Sequence, residues 1–142
     1  MELSTSALLI QGIFSAFEPL NLGLLIFGCL VGLFVGAMPG LGSVNGVAIL
    51  IPITFIVPPT AAIIFLAAVY YGAMYGGAIS SVMLGIPGAS TAVATVFDGR
   101  PLAQKGEAMT SLTAAAVGSF VGGTVSVILF TLFAPPLAEV AL

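Results

Sequence analysis

The sequence predicts an all-α integral membrane protein whose transmembrane helices are interrupted by Pro-Gly breaks into discontinuous or re-entrant segments. Three observations carry that prediction. No Asp, Glu, Lys, Arg or His occurs between Pro19 and Phe97, nor from Ala108 to Ala138, and a span needs only about 20 mainly apolar residues. The chain is 60% hydrophobic and 5% charged, against about 25% charged in an ordinary soluble domain. A backbone in hydrocarbon must satisfy its own N–H and C=O groups as helix or closed barrel, and these runs lack the period-2 alternation of barrel strands.

The same composition excludes several activities. The net charge of −3 arises from Glu2, Glu18, Asp98, Glu107 and Glu139 against Arg100 and Lys105, too sparse a set for a nucleic-acid footprint. With no His and a single cysteine, Cys29, there is no disulfide framework, metal cluster or His-dependent catalytic group. Cys29 reads as small packing filler. Gly106 follows Lys105 instead of preceding it, so no phosphate-binding Gly-x-x-x-x-Gly-Lys loop exists. No enzymatic activity and no bound cofactor are expected.

Taken in order, residues 1–18 place Leu3, Ile10, Ile13, Phe14 and Phe17 on one helical face and Ser4, Gln11, Ser15 and Glu18 on the other, the pattern of an amphipathic interfacial helix. A signal peptide is the competing reading, but Glu2 stands where Lys or Arg would be needed and the apolar core Ala7–Ile10 is short. Asn21–Met38 forms the first deep segment, with Gly28, Gly32, Gly36 and Gly40 four residues apart. Small residues let helices approach closely in a membrane, so another helix is expected against that stripe. The segment breaks at Pro39–Ser43 and resumes from Val44 to about Val57. That is about 21 Å at 1.5 Å per residue, too short to cross. Thr60–Gly85 is a full span, with Gly72 and Gly76 as a second close-packing pair. It breaks at Pro87–Ser90, and a short apolar piece, Thr91–Phe97, leads to a polar loop over residues 98–107 in which Asp98-Gly99-Arg100-Pro101 reads as a turn. Arg100 and Lys105 place that loop on the cytoplasmic side. Ala108–Phe133 is the last span, with Gly118, Gly122, Ser119 and Ala114–Ala116 as packing surface and Pro135-Pro136 as its end.

The two breaks form a pair, each following a Gly-rich helix and each followed by a Ser or Thr suited to cap a new one. Discontinuous helices in transporters place half-helix N-termini near the midplane, where free N–H groups and a partial charge of about +0.5 hold an anion and bare carbonyls hold a cation. Ser43 and Asn45 flank the first break; Ser90, Thr91 and Thr95 flank the second, with Ser80 and Ser81 earlier on the preceding helix. A bound anion would be gripped by hydroxyls, amide and backbone N–H groups. The plainer alternative is that Pro and Gly only kink the spans and the hydroxyls bond to their own helices. Tyr70 and Tyr71 read as an interfacial belt, while Tyr75 lies deeper.

The stretches Gly36-Ala-Met-Pro-Gly-Leu-Gly42, Tyr70-Tyr-Gly-Ala-Met-Tyr-Gly-Gly77, Ile86-Pro-Gly88, Phe97-Asp-Gly-Arg-Pro-Leu-Ala103 and Lys105-Gly-Glu-Ala108 together resemble the large membrane subunit of tripartite tricarboxylate transporters, the TctA type. The resemblance implies a secondary transporter of the bacterial inner membrane, working with a small membrane subunit and a periplasmic solute-binding protein. It would import carboxylates such as citrate on a gradient of Na⁺ or H⁺. It also implies that residues 1–142, one transmembrane domain with membrane segments 19–97 and 108–138, are the N-terminal portion of a longer transporter. The substrate and ion site would be lined by Pro39, Gly40, Gly42, Ser43 and Asn45 from the first break and by Pro87, Gly88, Ser90 and Thr91 from the second, with Tyr75 beside them. A non-transporting membrane scaffold, in which the Gly stripes serve assembly alone, is the alternative.

Overall fold

A computed structural model describes residues 5–141, all helix and connecting turns. The helices are α1 (Thr5–Ala16), α2 (Pro19–Ala37), α3 (Gly42–Leu50), α4 (Pro59–Leu84), α5 (Val93–Gln104) and α6 (Ala108–Ala141), with 3-10 turns at Ile51–Ile56 and Ser90–Ala92. Three of them, α2, α4 and α6, are long and apolar enough to cross a membrane. Residues Glu2, Leu3 and Ser4 of the expected interfacial helix lie outside the described residues. In the remainder, Ile10, Ile13 and Phe14 stand exposed along α1.

Helix α2 opens on Pro19, whose fixed φ suits the first helical position and whose missing N–H costs nothing there. It ends where Met38 is pushed extended (ψ 113°) by the following Pro39. Gly40 takes a φ of 87°, a left-handed conformation costly for any residue with a Cβ. The chain then folds back instead of continuing along the α2 axis. A Cβ at Gly46 of α3 would lie 2.6 Å from Val35 Cγ1, and Val35 belongs to the last turn of α2. The short segment expected after the first break is present as α3 and the 3-10 turn that follows, and of the two forms left open, discontinuous or re-entrant, its contact with the last turn of α2 is that of a chain turning back.

Helix α4 is the centre of the structure. Its 26 residues extend about 39 Å at 1.5 Å per residue, and it carries buried Phe65, Val69, Ala73 and Val82. The glycine stripe of α2 meets it as expected. A Cβ at Gly28 would come within 2.8 Å of the Phe65 carbonyl oxygen, and Cβ atoms at Gly32 and Gly36 would overlap the carbonyls of Val69 and Ala73. The fit is reciprocal, because Gly72 and Gly76 of α4 sit against the Cys29 and Leu33 carbonyls. At such separations backbone Cα–H groups face carbonyl oxygens across the interface, each contact worth about 0.5–1 kcal/mol. Gly40, the fourth member of the predicted stripe, has no atom within 4 Å of its would-be Cβ; it serves the turn.

Three expectations are corrected. Asp98-Gly99-Arg100-Pro101 is not a turn: α5 runs through it to Gln104 with Pro101 inside the helix, leaving only Lys105–Glu107 of the expected 98–107 loop non-helical. Tertiary contacts override the turn-like composition. Gly99 lets α5 close to within contact of Val82 and Ser111, and Arg100 donates from Nη1 to the Met83 carbonyl. Nor does α6 end before Pro135-Pro136; proline's φ is helical, and the helix continues to Ala141. Finally, Gly118 and Gly122 have nothing within 4 Å of their would-be Cβ positions, and Ser111 is the sole buried side chain among those described on α6. The expected packing surface of that span is thus uncovered in part: Ala115 and Ala116 are half-buried, and Ser119 and Gly122 line a groove shared with Tyr71 and Tyr75 of α4.

Arg100 thereby becomes structural. Its guanidinium sits over Gly85, the left-handed C-cap of α4 (φ 72°), where the partial negative charge of a helix C-terminus favours a cation. Arg100→Gln is expected to cost about 1–2 kcal/mol, read as a lower melting midpoint in detergent, with Arg100→Lys recovering only part.

Candidate functional site

The two breaks, far apart in sequence, line one cavity of about 360 Å³. Gly40, Gly42, Ser43 and Asn45 come from the first, and Pro87, Gly88, Ser90 and Thr91 from the second. Leu41, Val44, Ala89 and Tyr70 complete the wall. Small residues make this meeting possible. Gly88 is wedged against the end of α2 and the C-terminal third of α4: a Cβ there would overlap the Gly36 carbonyl oxygen and lie 2.6 Å from Ser80 Oγ and 2.8 Å from Gly77 Cα. A Cβ at Gly42 would in turn lie 3.9 Å from the Gly88 carbonyl oxygen.

Two predicted residues fall outside the cavity wall. Pro39 ends α2 and is exposed. Tyr75 turns away and donates its hydroxyl to the Leu112 carbonyl at 3.2 Å, tying α4 to α6. Tyr70, read as belt, lines the cavity with its ring edge-to-face on Tyr71 at 6.3 Å. The sequence signal for it was spacing: Tyr70 precedes Met74 by four residues, and so shares a face of α4 with it.

The polar groups divide into three sets. Ser80 and Ser81 satisfy the plainer reading, since both donate to the Gly77 carbonyl, at 3.0 and 2.7 Å, and Ser81 Oγ also lies 3.1 Å from the Ala92 carbonyl. Ser43 and Thr91, one from each break, donate to the same thioether, Met74 Sδ, at 3.5 and 3.6 Å. Asn45 and Ser90 make no side-chain hydrogen bond among the described residues. The expected capping by Ser or Thr is absent. Helix α3 has Leu41 at its N-cap and the 3-10 turn has Ala89, neither with a side-chain cap. The first-turn N–H groups of α3, at Gly42, Ser43 and Val44, therefore lack side-chain acceptors where that turn lines the cavity. No acidic or basic side chain lines it, and no cluster of metal-ligating residues occurs among the described residues. The cavity offers neutral donors from a helix terminus and an amide, the equipment for a releasable anion.

Comparison with known proteins bears on what that equipment is for. The family model described as the tripartite tricarboxylate transporter TctA family matches residues 22–142. A 52.8 kDa protein of Agrobacterium vitis, described as an uncharacterized protein in the TAR-I ttuC′ 3′ region, is 42% identical over 131 residues, covering 92% of this chain. The chain spans 26% of that relative's length. No solved structure matches.

Proposed function

The chain belongs to the tripartite tricarboxylate transporter TctA family, and from that premise we propose that it forms part of the membrane pathway by which a carboxylate is imported, held during transit in the cavity between its two helix breaks. The observation that carries this reading is that both breaks line one cavity. Non-helical backbone at membrane depth persists only where protein or a watery cavity satisfies it. A carboxylate oxygen accepts from the α3 first-turn N–H groups, and Asn45 and Ser90 supply further donors. The site operates in the bacterial inner membrane, fed by a periplasmic solute-binding protein and assembled with a small membrane subunit. No Asp or Glu lies between Pro19 and Phe97, so no proton-carrying carboxylate is available in this part. That favours Na⁺ over H⁺ as the coupling ion.

The test is uptake of labelled citrate into cells expressing the assembled transporter, with Asn45→Ala and Ser90→Ala introduced together. Each lost hydrogen bond to a charged group is worth about 1.5–3 kcal/mol, so uptake should fall at least about tenfold at unchanged membrane abundance. Full uptake by the double variant would favour the scaffold reading, in which the interlocked glycines of α2 and α4 serve assembly and the cavity carries nothing.

A further inference from the structure

We propose that Met74 is a positioning residue that turns the Ser43 and Thr91 hydroxyls into acceptors facing the cavity, so that the site reads a hydroxyl group on its carboxylate substrate. The inference rests on the cavity being the substrate site. A thioether sulfur has no hydrogen to give, so in both contacts the hydroxyl is the donor and Met74 Sδ the acceptor. Each hydroxyl has one hydrogen, engaged in these contacts by the thioether, and two lone pairs left over. Ser43 and Thr91 both line the cavity, and what they present to it is oxygen lone pairs.

That arrangement divides the cavity chemically. A carboxylate brings only acceptors, and it finds donors at the α3 first turn, at Asn45 and at Ser90. Placed against Ser43 and Thr91 it would meet lone pairs with lone pairs. The complementary group is an O–H, and a substrate carrying a carboxylate beside a hydroxyl satisfies both ends at once. A site with committed acceptors disfavours the analogue that lacks the hydroxyl, because its own oxygens are left unpaired. Ser43 is buried and Thr91 exposed, so one of the two acceptors is withdrawn from water and the other is partly hydrated. Met74 does this from a fixed place, on the same face of α4 as Tyr70.

Citrate and tricarballylate carry the same three carboxylates and differ in the citrate hydroxyl, so the ratio of their kcat/KM values in uptake by the assembled transporter is the readout. The wild type should prefer citrate by about tenfold. Met74→Leu keeps the bulk but removes the acceptor, freeing both hydroxyls to donate, and the ratio should fall toward one with tricarballylate uptake held or raised. Met74→Gln restores a carbonyl acceptor and should recover part of the preference. Thr91→Val, which removes an oxygen without touching Met74, should lower the ratio too and decides the matter if Met74→Leu fails to reach the membrane. An absent preference in the wild type overturns the proposal. So does an unchanged ratio in Met74→Leu, or equal loss for both substrates in Met74→Leu and Met74→Gln. A raised Na⁺ requirement with the ratio intact would mean that the oxygens face the cation, and would also overturn it. If Asn45→Ala with Ser90→Ala leaves uptake whole, the cavity reading itself has failed; if that pair abolishes uptake and the ratio still ignores Met74, only the positioning role has.

Discussion

Gly36→Leu is expected to abolish the folded membrane domain. The Gly36 position faces the Ala73 carbonyl, and a Cβ there would overlap backbone atoms of α4. A flexible side chain could swing aside; a helix backbone can move only by separating the two helices. Separation would open the contacts at Gly28, Gly32, Gly72 and Gly76 together, since all belong to the same interlock. Ordinary overpacking costs about 1–3 kcal/mol, and here the loss of several Cα–H···O contacts at about 0.5–1 kcal/mol each adds to it. The outcome should be loss of the monodisperse peak in size-exclusion chromatography of detergent-solubilised protein. Gly36→Ala should show the same defect more weakly. Gly118→Leu is the control, because nothing lies within 4 Å of its would-be Cβ. It should leave the α2–α4 pair intact, and an equal defect there would show that α6, too, is closely packed and that the argument from contact distance is wrong.

Gly88→Val should separate transport from folding. Gly88 holds the second break against the end of α2, with its would-be Cβ overlapping the Gly36 carbonyl and crowding Ser80 and Gly77. The segment from Ile86 to Ala89 is non-helical, so it can retreat where a helix cannot, and α2 and α4 remain closed. Retreat moves Ser90 and Thr91 away from Ser43 and Asn45, and the cavity opens into two half-sites. Uptake should fall by about a hundredfold or more, since misplacement of about 1 Å costs that much where reacting or binding groups must converge. The melting midpoint in detergent should drop by only a few degrees. A variant that transports normally would show that the two breaks do not act as one site.

Much of this was legible in sequence because the signals are local. The charge-free runs, the Pro-Gly breaks and the four-residue spacing of Gly28, Gly32 and Gly36 each depend on neighbours along the chain, and each reappears where expected. Asp98-Gly99-Arg100-Pro101 misled for the same reason. Its composition is that of a turn, yet Arg100 gains the Met83 carbonyl and Gly99 gains close contact with Val82 and Ser111 only if the segment is helical. Tyr75 was misplaced by depth alone. A span has faces, and this hydroxyl turns to Leu112 of α6.

By itself the sequence determined that the chain is helical and membrane-embedded, where its spans break, and which glycines permit close approach, because hydropathy, proline geometry and side-chain size are properties of residues taken in order. The tertiary structure alone decided that the two breaks share one cavity, that Gly40 serves a turn while Gly36 serves an interface, and that Ser43 and Thr91 give their hydrogens to Met74. Each of those facts is a contact between residues distant in the chain, and no local pattern records which partner a group will meet once the helices close.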